Sequence, residues 1–226
     1  MKRSFILSAA TFLIFTSITL SSKANGNPDQ ILARMQEAAK KITTIRASIG
    51  QVKKFVQIGG KETYTGTLIF KHAGKSDWVR INYENGNQVS VDPSEIVLYQ
   101  PQIKQAIVTT RGQLATRNQE FAFFSAPYSL TSAQMKQRYD IVHIGDEQVG
   151  AVATSVLQLT PKQPSAVKRM KWWVSQSSWL PVKSEMIDAQ SGDITTFTMS
   201  NMEINPKIAD SDFKIKFAPG TKVGSK

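Results

Sequence analysis

The sequence predicts one α+β domain: a helix followed by an antiparallel meander of short strands that closes toward a barrel or curves strongly. First, a single segment with helical spacing precedes many segments in which apolar and polar residues alternate. Second, turn residues separate these segments at even intervals. Third, the 226 residues contain no internal repeat, low-complexity tract or long linker. We therefore expect residues 25–226 to form a single domain.

The predicted helix covers about residues 28–43. Asn27 can cap its N-terminus, and Pro28 suits the first helical position. The apolar residues that recur at helical spacing are Ile31, Leu32, Met35, Ala38, Ala39 and Ile42. Because this spacing places them on one side, the helix has one face to bury.

Six short segments with the alternation of strands follow the helix. They are Ile45–Ile49, Gly66–Phe70, Trp78–Tyr83, Gln88–Val91, Glu95–Tyr99 and Gln105–Thr110. Segment 113–138 interrupts this alternation, and it contains Phe121, Phe123 and Phe124 close together. Thr131 and Gln134 in the same segment have the spacing of a capping box, so two short helices or turns are predicted there. Strands resume at Tyr139–Ile144, Thr154–Thr160, Arg169–Ser175, Val182–Asp188, Thr195–Asn201 and Asp212–Phe217.

The N-terminus has the layout of a secretory signal peptide. A basic start, Met1-Lys2-Arg3, precedes an apolar run from Phe5 to Leu20, and Ser22-Lys23-Ala24 suits cleavage after Ala24. Residues 1–24 are therefore expected to be removed; the alternative is a retained anchor, for which the run is short.

The charge is +11 for the whole chain. Residues 1–24 contain three of the 28 basic residues and none of the 17 acidic ones, which leaves +8 after cleavage. A basic exported protein can bind an anionic membrane surface or an acidic partner, whereas export makes nucleic acid an unexpected partner.

Composition excludes several kinds of catalytic and metal site. The chain has no cysteine, so it has neither a disulfide framework nor a thiolate metal site. Its only histidines are His72 and His143, and it contains no phosphate-binding loop or nucleophile motif. We therefore expect no enzymatic activity and no metal site.

Large apolar side chains occur on many of the predicted strands. Trp172 and Trp173 are adjacent, so on a strand they face opposite sides of the sheet. A curved sheet whose inner face is not filled by its own side chains must be filled by helices or by a ligand. The alternative for most of these residues is an ordinary packed core, but the phenylalanines at 121–124 lie on an insertion that could cover the mouth of a barrel.

Several motifs, in order across the chain, resemble one protein family. They are Ile45-Arg46-Ala47-Ser48-Ile49-Gly50-Gln51, Gly66-Thr67-Leu68-Ile69-Phe70-Lys71, Asp92-Pro93-Ser94-Glu95-Ile96-Val97-Leu98-Tyr99-Gln100-Pro101, Leu159-Thr160-Pro161-Lys162 and Phe217-Ala218-Pro219-Gly220. From Ile31 to Val223 the chain resembles the outer-membrane lipoprotein carrier family, LolA.

The resemblance implies an unclosed, curled antiparallel barrel covered by a lid of short helices. It implies a monomeric periplasmic carrier that binds acylated lipoproteins in a hydrophobic cavity. An inner-membrane lipoprotein-releasing ABC transporter would load it, and an outer-membrane lipoprotein receptor would unload it. The carrier itself would use no cofactor.

On this resemblance we expect ten apolar side chains to line the acyl-chain cavity. Those from the helices and the insertion are Leu32, Met35, Phe121, Phe124 and Met135, and those from the sheet are Ile49, Leu68, Phe70, Trp78 and Leu98. Whether the five sheet residues face inward depends on the register of their strands, because a slip of one residue turns their side chains outward. His72 occupies the position of an arginine that joins lid and sheet in the family, so it is the candidate lid latch.

Three other functions fit the same residues. The fold could serve a lipoprotein-sensing regulator or a carrier of glycolipid or another amphiphile. The positive charge could instead bind an acidic polymer, through clusters such as Lys168-Arg169 and Lys171. In that last case salt would weaken binding, whereas apolar binding would resist it.

Overall fold

The computed structural model describes residues 26–74, 76–110, 127, 128 and 130–225. Twelve strands and two helices make up most of this part of the chain. The helices are α1 (Pro28–Ala39) and α2 (Ser132–Arg138). The strands are β1 (Thr44–Lys54), β2 (Lys61–Ala73), β3 (Ser76–Tyr83), β4 (Gln88–Val91), β5 (Glu95–Gln100), β6 (Gln105–Thr110), β7 (Tyr139–Val149), β8 (Val152–Pro161), β9 (Val167–Ser175), β10 (Pro181–Asp188), β11 (Ile194–Ile204) and β12 (Lys222–Ser225).

All twelve strands form one sheet in the order β12-β6-β5-β4-β3-β2-β1-β11-β10-β9-β8-β7. Every neighbouring pair is antiparallel except β12 and β6, which are parallel. The sheet curls, but β12 and β7 remain separate edges in the described part of the chain. The predicted unclosed, curled antiparallel sheet with helices is therefore confirmed.

Both helices begin where the sequence predicts a cap. The Asn27 side chain accepts a hydrogen bond from the backbone N–H of Asp29 at 2.9 Å. Thr131 and Gln134 form the capping box of α2. Helix α1 ends at Ala39, earlier than predicted. Neither α1 nor α2, as described, is long and apolar enough to span a membrane.

The C-terminal segment corrects one predicted strand. Instead of a strand over 212–217, the chain forms a short 3-10 helix, Asp210–Phe213. The Asp212 carboxylate accepts a hydrogen bond from the backbone N–H of Ala209 at 3.0 Å, which favours a tight turn over an extended chain. The segment then crosses the sheet and ends in β12, a strand that the alternation pattern does not predict.

This C-terminal segment covers the outer face of β3 to β6. Phe213 is fully buried there, its ring centroid 5.6 Å from that of Trp78. The Ser90 hydroxyl donates a hydrogen bond to the carbonyl of Phe213. Further along, the Phe217 ring packs against Tyr99 at 5.2 Å. One part of the outer face is thus closed by the protein's own chain.

An ion pair between Asp92 and Lys214 fastens this segment to the turn before β5. Burial of the Asp92 carboxylate acts to raise its pKa. Hydrogen bonds from Lys214, from the Ser94 hydroxyl and from the backbone N–H groups of Glu95 and Ser94 outweigh it, so the pKa lies well below its ordinary value. A depressed folded-state pKa stabilises the fold above the unfolded-state pKa, near ~3.9, and this contribution is lost as the pH falls through the folded-state pKa.

Asp92→Asn is therefore expected to lower the free energy of unfolding at neutral pH by about 1–3 kcal/mol, because the ammonium, hydroxyl and backbone donors around it lose a buried, charged acceptor. Urea unfolding of both proteins from neutral to strongly acidic pH measures the effect, and we expect the difference to shrink below pH ~4. Asp210→Asn is the matched control: it removes the exposed carboxylate paired with Lys71, at a cost of about 0–1 kcal/mol. A difference between Asp92→Asn and wild type that stays constant with pH would contradict the assignment.

Candidate functional site

The inner face of the curled sheet and the two helices enclose one continuous apolar core. The helices contribute Ile31, Leu32, Met35 and Met135, and the strands contribute, among others, Ile45, Ile49, Leu68, Phe70, Val79, Ile81, Leu157, Leu159, Met170, Trp172 and Phe197. Six of the ten residues proposed from the sequence belong to it: Leu32, Met35, Ile49, Leu68, Phe70 and Met135. All six are nearly inaccessible to solvent.

Leu98 shares the inner face but lies nearer its edge. It is half-buried and stands opposite Val89 on β4 and Ile107 on β6. Val89 packs against the core. Since directly opposite residues point to the same side of a sheet, Leu98 faces inward at the end of the apolar surface.

Trp78 corrects the sequence-based assignment, because it lies on the outer face. Its partner across the β2–β3 pair is Lys71, whereas Phe70 stands opposite Val79. The Trp78 ring meets Phe213 of the C-terminal segment rather than the core. An aromatic residue at a strand start is compatible with either face, so only the pairing with β2 decides which one it occupies.

Residues 127, 128 and 130 form the described end of the insertion. Tyr128 packs its ring 5.0 Å from that of Phe70, and Leu130 packs against the same core. Burial raises the pKa of Tyr128 above its ordinary value, and its hydroxyl has no hydrogen-bond partner among the described residues. Phe121 and Phe124, which we expect to line the cavity, lie outside the described residues.

The two helices are tied to each other by a small set of polar contacts. The Ser132 backbone N–H and hydroxyl both lie within hydrogen-bond distance of the Gln36 amide oxygen, at 3.0 and 2.8 Å. The ammonium of Lys136 lies 3.3 Å from the carboxylate of Asp29. The helices meet the sheet mainly through apolar side chains, and Lys162, just after β8, donates hydrogen bonds to the carbonyls of Lys136 and Arg138 in α2. Sequence reasoning did not predict the contacts between the two helices, because they join residues about 100 positions apart.

His72, the candidate latch, has a partner within the sheet. Its Nδ1 lies 2.7 Å from the carboxylate of Asp77, directly opposite on β3. Its backbone N–H donates to the carbonyl of Thr43. Within the described residues this side chain therefore joins β2 to β3, and its role at the lid stays a prediction.

Trp172 and Trp173 face opposite sides of the sheet, as the alternation predicts. Trp172 is in the inner core, and its Nε1 has no hydrogen-bond partner among the described residues. Trp173 lies outside, where its Nε1 donates to Glu147 at 2.7 Å and the Lys183 ammonium lies 4.0 Å from its ring centroid. The sequence-based list of site residues contained neither Trp172 nor its neighbours Leu157 and Met170, all of which lie on predicted strands.

A groove of about 490 Å³ opens beside the core, between α1 and the turn that joins β9 to β10. Ala38, Ile42, Trp179 and Leu180 line it, and all four also pack against the core. The Arg34 guanidinium lies 4.5 Å from the centroid of the Trp179 ring. The groove thus combines an apolar wall that is continuous with the core and a cation at its rim.

The described residues contain no group of three or more His, Cys, Asp or Glu side chains that could hold a metal ion. The inner face offers apolar side chains and two unpartnered donors, Tyr128 and Trp172. This arrangement can bury hydrocarbon and donate hydrogen bonds.

Comparison with solved structures places the fold among similar proteins. An uncharacterized conserved protein of Thermus thermophilus matches with a TM-score of 0.55 at 10% identity, over 87% of this chain and 98% of that one. The MucA/MucB complex structure of Pseudomonas aeruginosa matches with a TM-score of 0.50 at 14% identity, over 84% of this chain and 62% of that one. A LolA superfamily protein of Nitrosomonas europaea matches with a TM-score of 0.40 at 17% identity, over 84% and 98%. At these identities the likeness to the first two structures concerns the fold alone.

No protein with curated annotation is similar in sequence to this chain at a significant level. The profile of one family, described as outer membrane lipoprotein carrier protein LolA, matches residues 40–216. This match runs from the end of α1 to the C-terminal segment that covers the outer face. The chain therefore belongs to the LolA family of outer membrane lipoprotein carrier proteins.

Proposed function

We propose that this protein is a periplasmic carrier that binds the acyl chains of lipoproteins and moves them from the inner to the outer membrane. One observation carries the proposal: a large apolar sheet face is covered, in the described part of the chain, by two short helices and the end of the insertion. Membership of the LolA family supports it, because that family is described as a carrier of outer membrane lipoproteins.

The energetics of such a carrier require a removable cover. Burial of one methylene is worth about 0.8 kcal/mol, so a chain of about fourteen methylenes represents roughly 11 kcal/mol. A site that bound this chain with all of that free energy would have a dissociation constant of about 10 nM and would release the chain slowly. Leu32, Met35 and Met135 would withdraw when acyl chains enter. The net binding free energy is then the burial free energy of the acyl chains minus that of the side chains they displace. The few polar contacts between α1 and α2 favour such an exchange.

The groove beside α1 supports a route into the core. Its apolar wall continues into the core, so an acyl chain could slide from one to the other without leaving apolar surroundings. Inside, the Tyr128 hydroxyl and the Trp172 Nε1 lack partners among the described residues. Buried donors gain a hydrogen bond when an ester or amide carbonyl of the lipid reaches them.

The cavity of this carrier is formed by Leu32, Met35, Ile49, Leu68, Phe70 and Met135, with Leu98 at its edge. Phe121 and Phe124 would complete it from the insertion. The proposal includes loading by an inner-membrane ABC transporter and unloading at an outer-membrane receptor, without a cofactor in the carrier. The alternative is a lipoprotein sensor or a carrier of another amphiphile, because an apolar face does not select among acylated molecules.

Native mass spectrometry of the processed protein, purified gently from its own host, tests the proposal. We expect a co-purifying triacylated lipoprotein, because periplasmic cargo in transit has no other soluble form. A bound phospholipid or glycolipid would instead favour the alternative. A protein that carries no lipid and takes up neither lipoprotein nor fatty acid after purification would contradict both functions.

A further inference from the structure

The turn between β1 and β2 exposes large apolar side chains at the tip of a long hairpin. Ile58 is 84% exposed and Val56 58% exposed, the two highest values among the large apolar residues of the described chain. Gly59 and Gly60 have positive φ angles of 71° and 97°, which close the turn. The apolar tip, residues Val56 to Ile58, has no role in the core or in the groove beside α1.

The hairpin extends beyond β3 on one side, whereas on the other side β11 accompanies β1 as far as Lys54, which lies opposite Ile194. β2 begins at Lys61, but β3 ends opposite Gly66, so the first residues of β2 extend beyond β3. At the rise of a β-strand this overhang is about 16 Å. At the same end of the sheet, the β5–β6 turn exposes Ile103 next to Lys104.

The apolar tip is also held in place. The Asp193 carboxylate, from the β10–β11 turn, accepts a hydrogen bond from the backbone N–H of Val56 at 3.0 Å. The Gln57 side chain donates to the carbonyl of Ser191 in the same turn at 3.2 Å. A braced loop loses less conformational entropy on binding than a free one, so its exposed side chains are preorganised for contact.

Three lysines lie at the neck of the hairpin. Lys53 and Lys54 precede the tip, and Lys61 follows it. The acids nearby are Glu62 on β2, and Asp188 and Asp193 on the turn that braces the loop. Because these charges nearly balance the lysines, the apolar side chains must supply most of any attraction at this tip.

We propose that this hairpin docks the protein on a phospholipid bilayer, with Val56 and Ile58 inserted among the lipids and Lys53, Lys54 and Lys61 at the headgroups. A tip with two exposed large apolar side chains buries too little area for a stable protein interface, which needs about 800 Å² from each partner. The same tip can enter the bilayer interface, where apolar side chains are buried and lysines remain solvated. The docking is a property of the hairpin and does not rest on the proposed cargo.

Vesicle flotation tests the proposal. The wild-type protein and V56S/I58S are mixed with vesicles of equal parts phosphatidylethanolamine and phosphatidylglycerol. We expect wild type to float with the vesicles and V56S/I58S to partition at least about tenfold more weakly, since two apolar side chains are lost. V142S/I144S is the matched control, because Val142 and Ile144 on edge strand β7 are 48% and 45% exposed. It should bind like wild type.

Three results would overturn the membrane assignment. The first is wild-type protein that does not float, and the second is equal binding by V56S/I58S. The third is loss of wild-type binding at high ionic strength, because insertion of apolar side chains resists screening and attraction by lysines does not. Uptake of a soluble fluorescent fatty acid, measured on the same proteins, should be equal in wild type and V56S/I58S, so failure of membrane docking is distinguishable from failure of the carrier function.

Discussion

Phe70→Ala is expected to lower the free energy of unfolding by about 3–5 kcal/mol and to raise the affinity for acyl chains by about tenfold. Phe70 is 2% exposed and lies at the contact between the sheet and the described end of the insertion, where its ring meets Tyr128. Its removal leaves a cavity lined by apolar side chains. In the free protein the empty cavity lowers the free energy of unfolding, whereas in the complex several methylenes of an acyl chain can fill it.

Two measurements check this expectation. Urea unfolding gives the loss of stability, and titration with a fluorescent fatty acid gives the affinity. A saturating acyl ligand should also raise the midpoint of thermal unfolding more in Phe70→Ala than in wild type, because ligands that bind only the native state stabilise it. Weaker acyl binding by a folded Phe70→Ala protein would mean that the ring itself contacts the acyl chain and is not merely displaced by it.

Phe213→Ala is expected to cost a similar 3–5 kcal/mol and to leave acyl affinity unchanged. Phe213 is fully buried, like Phe70, but it lies on the outer face against Trp78. Its loss frees the C-terminal segment from β3 to β6, and the cavity that remains is separated from the inner core by the sheet. No acyl chain in the core can reach it.

The two alanine variants therefore control for each other. The same residue type is truncated on the two faces of one sheet, so a change that follows instability alone should occur in both. Fatty-acid titration at a temperature where both variants are folded separates the effects. If Phe213→Ala changed acyl affinity as much as Phe70→Ala, the inner face would not be the binding surface, and the proposed carrier site would be wrong.

Local sequence patterns predicted much of this structure, because they reflect short-range constraints. Asn27 and Pro28 mark the start of α1, and Thr131 with Gln134 marks the start of α2. The helical spacing of Leu32 and Met35 placed them on the buried side. Alternation along the strands separated Trp172 from Trp173. Each of these inferences depends on residues that lie only a few positions apart in the sequence.

Other features depend on pairings between distant parts of the chain. Alternation assigns residues to two faces but does not say which face curls inward, so Trp78 was placed on the wrong side. His72 met Asp77 because β2 and β3 pair in one particular register. Residues 212–217 formed no strand; Phe213 is instead buried against Trp78 on the outer face of β3.

The sequence by itself determined the family, the unclosed antiparallel sheet and six of the apolar residues that the core contains. Tertiary structure alone decided which aromatic side chains meet inside, how α1 and α2 are held together and that the C-terminal segment closes part of the outer face. The physical reason is the sequence separation over which interactions act. Caps, turns and alternation depend on residues a few positions apart, whereas the curl of the sheet and the partner of each buried side chain follow from contacts between strands far apart in the chain.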